Sequence, residues 1–239
     1  MNAAPRAIVT GSSSGIGAAV CRRLLTAGYV VHGLDRAEPT IVHAGFKPMC
    51  IELGQAAPAL GTQAAITELL APGPPQALVH AAGILRTGPL GELTARAEEA
   101  AAMWRLHVET ATQLADALLP AMARAGHGRV VLIGSRVASG MPGRSQYAAT
   151  KAALVALARS WAAEVVAQGV TVNVVSPAAT DTPMLHDPAR AGSAPRPPPI
   201  GRFIRPDEVA ALVAYLLGPD AAAITGQDIA VCGGSSLTR

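Results

Sequence analysis

Apolar and polar positions along this chain follow two alternating registers. Short apolar runs, most of them rich in valine, isoleucine or leucine, occur at Arg6 to Thr10, Tyr29 to Asp35, Phe46 to Leu53, Ala77 to His80, Arg129 to Gly134, Val170 to Pro177 and Thr225 to Val231. Each is bounded by turn-forming residues and reads as a strand. Between them lie stretches dominated by alanine and leucine: Ala18 to Gly28, Ala56 to Ala71, Leu93 to Ala125 as one or two long helices, Gln146 to Val165, and Pro206 to Leu217. Gly28 and Gly169 mark helix ends, and Pro206, Asp207 and Glu208 place a proline and two acids in a first turn. Strand and helix in alternation predict an α/β protein with a parallel sheet. Residues 183–206 break the pattern: they are proline-rich, lack a steady apolar period and predict an extended loop after a strand's carboxyl end, where a lid or specificity element belongs. No polar linker interrupts the rest, so residues 1–239 are expected to form a single domain.

The first strand runs directly into Gly11-Ser12-Ser13-Ser14-Gly15-Ile16-Gly17 and then a helix. Strand, glycine loop and helix together predict a phosphate-binding turn. Gly11 permits the tight turn, Gly15 lets backbone approach an anion, and Gly17 lets the helix close on the sheet, with the helix amino end offering unpaired N–H groups. Asp35 ends the second strand eighteen residues beyond Gly17, placed to accept hydrogen bonds from an adenosine ribose diol. That placement favours NAD over NADP, and the absence of a basic residue at Ser14 points the same way. Arg36 keeps the alternative open, because an adjacent guanidinium suits a 2′-phosphate. The small residues Ala81, Ala82 and Gly83 after the fourth strand suit a backbone lying against a cofactor, while His80 reads as a hydrogen-bonded structural residue.

Composition narrows the function classes. Net charge is +3 with 15% charged residues, too little basic density for a nucleic-acid footprint. No apolar run is long enough to span a membrane, and the first strand starts too early to leave room for a signal peptide, so a soluble, cytoplasmic protein is expected. Cys21, Cys50 and Cys232 are too scattered for disulfides or a metal site, and are expected to be small core residues. With 3% aromatics, the core must be packed by alanine, valine and leucine.

The chemistry concentrates between Ser135 and Lys151. Tyr147 and Lys151 lie four apart in a helical stretch, so both side chains leave the same face about 5–6 Å apart. A fixed positive charge beside a phenol favours the phenolate and makes tyrosine a usable proton-transfer group. Ser135 follows the fifth strand and places a hydroxyl at its carboxyl end.

With Thr10-Gly11, Gly15-Ile16-Gly17, His80-Ala81-Ala82-Gly83, Ser135, Tyr147/Lys151 and Asn173 to Thr182 in this order, the chain resembles the short-chain dehydrogenases/reductases from end to end. The resemblance implies a Rossmann-type, doubly wound parallel sheet of about seven strands with helices on both faces. It also implies hydride transfer between a nicotinamide cofactor and an alcohol or ketone, and a homodimer or homotetramer. It makes Tyr147 the general acid/base, has Lys151 hold the nicotinamide ribose, and has Ser135 polarise the substrate oxygen. Pro177, Thr180 and Thr182 fall beside the nicotinamide. Met184, Leu185 and Phe203 offer an apolar wall to the substrate.

Three positions depart from the family pattern. His107 stands where an asparagine usually supports a water chain from the lysine; its imidazole either takes over that catalytic support or is a satisfied helix-core histidine. Ala178 replaces a glycine, and Cys232 an aspartate. Residues 83–88 and 173–184 are similar to stretches of dihydrodihydroxybenzoate dehydrogenases. An acidic substrate of that kind needs a basic partner, for which Arg86, Arg136, Arg144 and Arg190 are available. The expected activity is NAD-dependent oxidation of a secondary alcohol or reduction of a ketone, including cyclic or dihydrodiol-type substrates. The alternatives are an NADPH-dependent 3-ketoacyl reductase and an NAD(P)-sensing binding protein with weak catalysis.

Overall fold

The computed structural model describes residues 4–55, 60–188 and 195–237, side chains at 60–63 excepted. One parallel sheet holds β1 (Arg6–Thr10), β2 (Val30–Asp35), β3 (Phe46–Cys50), β4 (Ala77–His80), β5 (Gly128–Ile133), β6 (Val170–Pro177) and β7 (Asp228–Val231). Their spatial order is β3-β2-β1-β4-β5-β6-β7. The chain leaves β1 towards β2 and β3, then returns to begin its second half at β4 on the other side of β1. Such a reversal opens a crevice at the strands' carboxyl ends.

The helices α1 (Gly15–Thr26), α2 (Leu60–Leu70), α3 (Ala97–Trp104), α4 (Thr110–Arg124), α5 (Ser145–Val165) and α6 (Pro206–Leu217) connect the strands. Because successive strand side chains point to opposite faces, each central strand feeds two cores. Ala7, Val9, Ala77, Val79, Val131 and Ile133 pack with α1 and α6. Ile8, Leu78, Val130 and Leu132 pack with Leu69 of α2, Leu114 and Leu118 of α4 and Leu154 of α5. Burial on both faces explains why these strands read as continuous apolar runs. Leucines dominate the largest fully buried side chains, as the scarcity of aromatics required.

Several expected boundaries shift for local reasons. The third strand stops at Cys50 rather than Leu53, with the Ile51 amide donating the last rung to the Asp35 carbonyl at 2.8 Å. The final strand starts at Asp228 rather than Thr225, because Asn173 does the preceding rungs' work. Its side chain donates to the Ile224 carbonyl at 2.8 Å and accepts from the Gln227 amide at 3.1 Å. The helical stretch expected from Leu93 begins at Ala97 and is divided by a π turn at Arg105–Glu109, where the Arg105 carbonyl accepts from the Thr110 amide and also from Thr110 Oγ1 at 3.0 Å. Residues 56–59 of the expected second helix, and Arg190, lie outside the described residues.

The expectation that all three cysteines are core residues holds only for Cys21. Cys50 is exposed and Cys232 half-buried. Cys50 sits on β3, an edge strand with one side open to solvent, and Cys232 lies beyond the end of β7, where its thiol meets Ser236 Oγ at 3.0 Å. The loop after β6 carries a short 3-10 turn, Pro183–His186, and then returns to the sheet. There the Ile200 amide donates to the Gly233 carbonyl at 3.1 Å, so the glycines Gly233 and Gly234 that follow β7 lie against the loop.

Candidate active site

The carboxyl ends of β1, β2, β4, β5 and β6 border one cleft of about 1230 Å³. The glycine turn forms its floor under β1. Gly11 and Gly15 have φ of +69° and +51°, which L side chains rarely adopt. At Gly17 an added Cβ would lie 2.0 Å from the Gly11 carbonyl oxygen, so α1 can rest on the turn only with glycine there. The amino end of α1 faces the cleft with no side-chain cap on it, which leaves its N–H groups available to an anion.

Asp35 is held rather than merely present. Its two carboxylate oxygens accept from the Ser13 and Ala37 amides at 2.9 and 3.0 Å. Each oxygen keeps further lone-pair capacity for hydroxyl donors. Ser13 thus serves the cofactor end indirectly: its own hydroxyl donates to the Ala37 carbonyl at 3.0 Å, and it is not on the cleft wall. Arg36 does line the cleft but is exposed and only loosely paired with Glu52 at 3.5 Å.

A threonine hydroxyl fixes the β4 end. Thr10 Oγ1 accepts from the Ala81 and Ala82 amides at 3.1 and 3.0 Å, so its single proton goes to His80 Nδ1 at 2.9 Å. That network assigns the His80 proton to Nε2. Burial, and then the charge of Lys151, push the His80 pKa down to about 3, so the ring is neutral. His80 is the structural residue its surroundings in sequence suggested. Thr10 organises the segment after β4.

The helix α5 buries Tyr147, Ala148, Thr150, Lys151, Leu154, Ala158 and Ala162, the three-and-four spacing of one face. This face turns its amino-terminal end to the cleft. Lys151 Nζ donates to the carbonyl of Ile133, the last residue of β5, at 2.9 Å and lies 5.7 Å from the centre of the Tyr147 ring. Burial lowers its pKa to about 7. Ser135 Oγ accepts from the Val137 amide at 3.2 Å, which turns the chain into a short 3-10 helix and leaves the hydroxyl proton for another acceptor. A phenol, an amine and a hydroxyl thus converge on one wall.

His107 is not on that wall. It is fully buried in the π turn, and its ring nitrogens are both engaged. Nε2 accepts from the Ile84 amide at 3.0 Å, which assigns the proton to Nδ1; this donates to Thr150 Oγ1 at 2.8 Å, and Thr150 in turn donates to the Tyr147 carbonyl at 2.8 Å. Burial, then the charge of Lys151, holds its pKa well below the usual range. The expectation that the imidazole carries a water is therefore corrected: no ring nitrogen is left for one.

The remaining expected residues sort cleanly. Gly11, Ser14, Gly15, Ile16, Gly17, Asp35, Arg36, Ala81, Ala82, Gly83, Ser135, Tyr147, Lys151, Pro177, Thr180, Thr182, Met184 and Leu185 all border the cleft, and Phe203 does not. Sequence reasoning missed Val137, Met141, Pro142 and Arg196, which also line it, Val137 and Met141 packing with Tyr147. The first three follow Ser135 closely, so their position was a usable signal; Arg196 gave none.

A family model described as enoyl-(acyl carrier protein) reductase matches residues 11–236. The chain is also 35% identical over 237 residues to 3-oxoacyl-(acyl-carrier-protein) reductase FabG of Escherichia coli, covering 95% of this chain and 96% of that one. The chain belongs to the short-chain dehydrogenase/reductase family. Another member, 4-formylbenzenesulfonate dehydrogenase of Comamonas testosteroni, is 34% identical over 251 residues, 97% of either chain. Among solved structures, actinorhodin polyketide ketoreductase with NADPH superposes with a TM-score of 0.85 at 27% identity, covering 98% of both chains. The fold of the short-chain dehydrogenases/reductases is thus present in full, with one seven-stranded parallel sheet and helices on both faces.

Proposed function

We propose that the protein is an NAD(H)-dependent oxidoreductase that interconverts a secondary alcohol and a ketone. The observation that carries this reading is the convergence of Tyr147, Lys151 and Ser135 on a cleft whose other end is a glycine-floored anion cradle. In the reducing direction the Tyr147 hydroxyl gives its proton to the carbonyl oxygen as charge develops there, and takes it back in oxidation. Ser135 donates a hydrogen bond to the same oxygen. The Lys151 ammonium stabilises the phenolate left on Tyr147 and reaches the ribose. The nicotinamide, when bound, supplies or accepts the hydride.

The residues lining the cleft suit such a cofactor. The turn Gly11, Ser14, Gly15, Ile16 and Gly17 would hold the pyrophosphate, Ala81 to Gly83 would lie along the dinucleotide, and Pro177, Thr180 and Thr182 would border the nicotinamide. Asp35, held by Ser13 and Ala37, accepts from the adenosine ribose diol, and a 2′-phosphate there would meet like charge. Met184 and Leu185, within the loop 183–206, contact the substrate. His107 is a positioning residue, acting on Tyr147 through Thr150.

The setting we assign is a single-domain, cytoplasmic homodimer or homotetramer acting on a small molecule, without nucleic-acid or membrane partners. Among the described residues no helix is long and apolar enough to cross a membrane. The substrate named for the Comamonas relative, an aromatic aldehyde bearing a sulfonate, favours a compact ketone or alcohol over a long acyl chain.

A second reading is an NADPH-dependent 3-oxoacyl reductase, favoured by the FabG likeness, the NADPH in the ketoreductase structure and Arg36 beside Asp35. Fluorescence titration with NADH and NADPH separates the two: the first requires NADH to bind at least tenfold tighter. Tyr147→Phe is expected to lower kcat by 10²-fold or more with NADH affinity kept within about threefold. Retention of most activity would remove Tyr147 from the mechanism. Tight cofactor binding with no turnover over a broad panel of ketones and diols would favour a cofactor-sensing protein instead.

A further inference from the structure

We propose that the substrate end of the cleft is built for an organic anion: a small hydroxy or oxo acid with an apolar body, its carboxylate paired with Arg136 and assisted by Arg144. The chemistry done on the bound acid rests on the oxidoreductase reading; its binding does not.

The carboxylates of the cleft wall stand at one end, with Arg36 beside them. These acids, Asp35 and Glu52, stand at the ends of β2 and β3. The substrate end lies beyond β5, which is three strands from β2 in the sheet order, or about 14 Å at the usual strand spacing. On that side the ionisable residues of the wall are, among the described residues, Lys151, Arg136 and Arg144, with Tyr147 among them and no carboxylate, and Arg196 also lines the cleft. Val137, Met141, Pro142 and Leu185 add apolar surface to the wall. A ligand matching this wall is apolar through most of its volume and negative at one point.

Arg136 is the decisive group. It comes directly after Ser135 in sequence and is half-buried on the wall, and its guanidinium makes no hydrogen bond or ion pair with any described residue. Arg86 shows the contrast. It is tied to the Leu85 carbonyl at 2.9 Å and to Asp187 at 3.2 Å, and is not on the wall. A partly desolvated guanidinium without a counter-ion is unfavourable, and a carboxylate restores the balance with two parallel hydrogen bonds. Arg144 lines the same cleft from the N-cap position of α5, the helix that carries Tyr147. The acid would thus be oriented as well as attracted.

Binding tests this without any need for turnover. Isothermal titration of the protein saturated with NAD⁺ would use cyclohexanecarboxylate and, as the neutral match, cyclohexanecarboxamide. The acid is expected to bind at least tenfold tighter, Arg136→Gln to bring the two within about threefold, and Arg144→Gln to remove part of the preference. Retained NAD⁺ affinity would show that each variant is folded. Equal binding of acid and amide to the wild type, or a preference untouched by both substitutions, would overturn the proposal. So would tight binding of pantetheine 4′-phosphate with no binding of the acid, since the arginines would then serve a carrier phosphate. The two readings fail separately. Selective acid binding with no turnover of any 3-hydroxy or 3-oxo acid removes the oxidoreductase and leaves the anion site; turnover of neutral ketones with no acid preference does the reverse.

Discussion

Burial lowers Lys151 from an ordinary 10.5 to about 7, while its ammonium donates to the Ile133 carbonyl. The unfolded chain therefore binds a proton that the folded chain has released, across the window between those two values. Stability should rise with pH through this window, by at most about 1.4 kcal/mol per pH unit from this group. Urea denaturation of the cofactor-free protein at pH 7.5 and 9.5, against Lys151→Met, isolates the effect: the wild type should gain on the variant as pH rises. An unchanged difference would mean that the amine stays charged when buried. The Tyr147 and Lys151 pair was legible in sequence because helix geometry alone brings residues four apart together. The state of His107 was not, because its partners Ile84 and Thr150 are 23 and 43 residues away.

At the scale of elements, strands and helices were legible where the apolar period was long. Their ends were not, because a single side chain such as that of Asn173 takes over backbone partners there. The loop after β6 gives a test of the same kind. Gly233 has φ of +53°, and a Cβ on it would lie 2.8 Å from Ile200. Gly233→Ala should push residues 198–201 off the end of β7 and loosen the wall that the loop gives the cleft. We expect KM for the substrate to rise by on the order of tenfold, with NADH affinity within about twofold, measured by steady-state kinetics and titration. Equal loss of both would mean that the paired glycines serve the sheet rather than the loop.

For the whole molecule, Trp104 and Tyr215 remain 43% and 48% exposed although the core is packed almost wholly by aliphatic residues. Large aromatics left on a surface are favoured interface anchors, in keeping with the homodimer or homotetramer proposed. Light scattering on the eluted protein should give two or four times 24.2 kDa. A mass of one chain at micromolar concentration would end that assignment. The sequence by itself determined the α/β class, the glycine turn, Asp35 and the Tyr147/Lys151 spacing, because each is carried by local periodicity, spacing or residue type. Tertiary structure alone decided that His107 is sealed, that Cys50 faces solvent, and that Arg136 and not Arg86 reaches the cleft. Those outcomes depend on which distant segments meet and on which side of the sheet, and no local spacing encodes that.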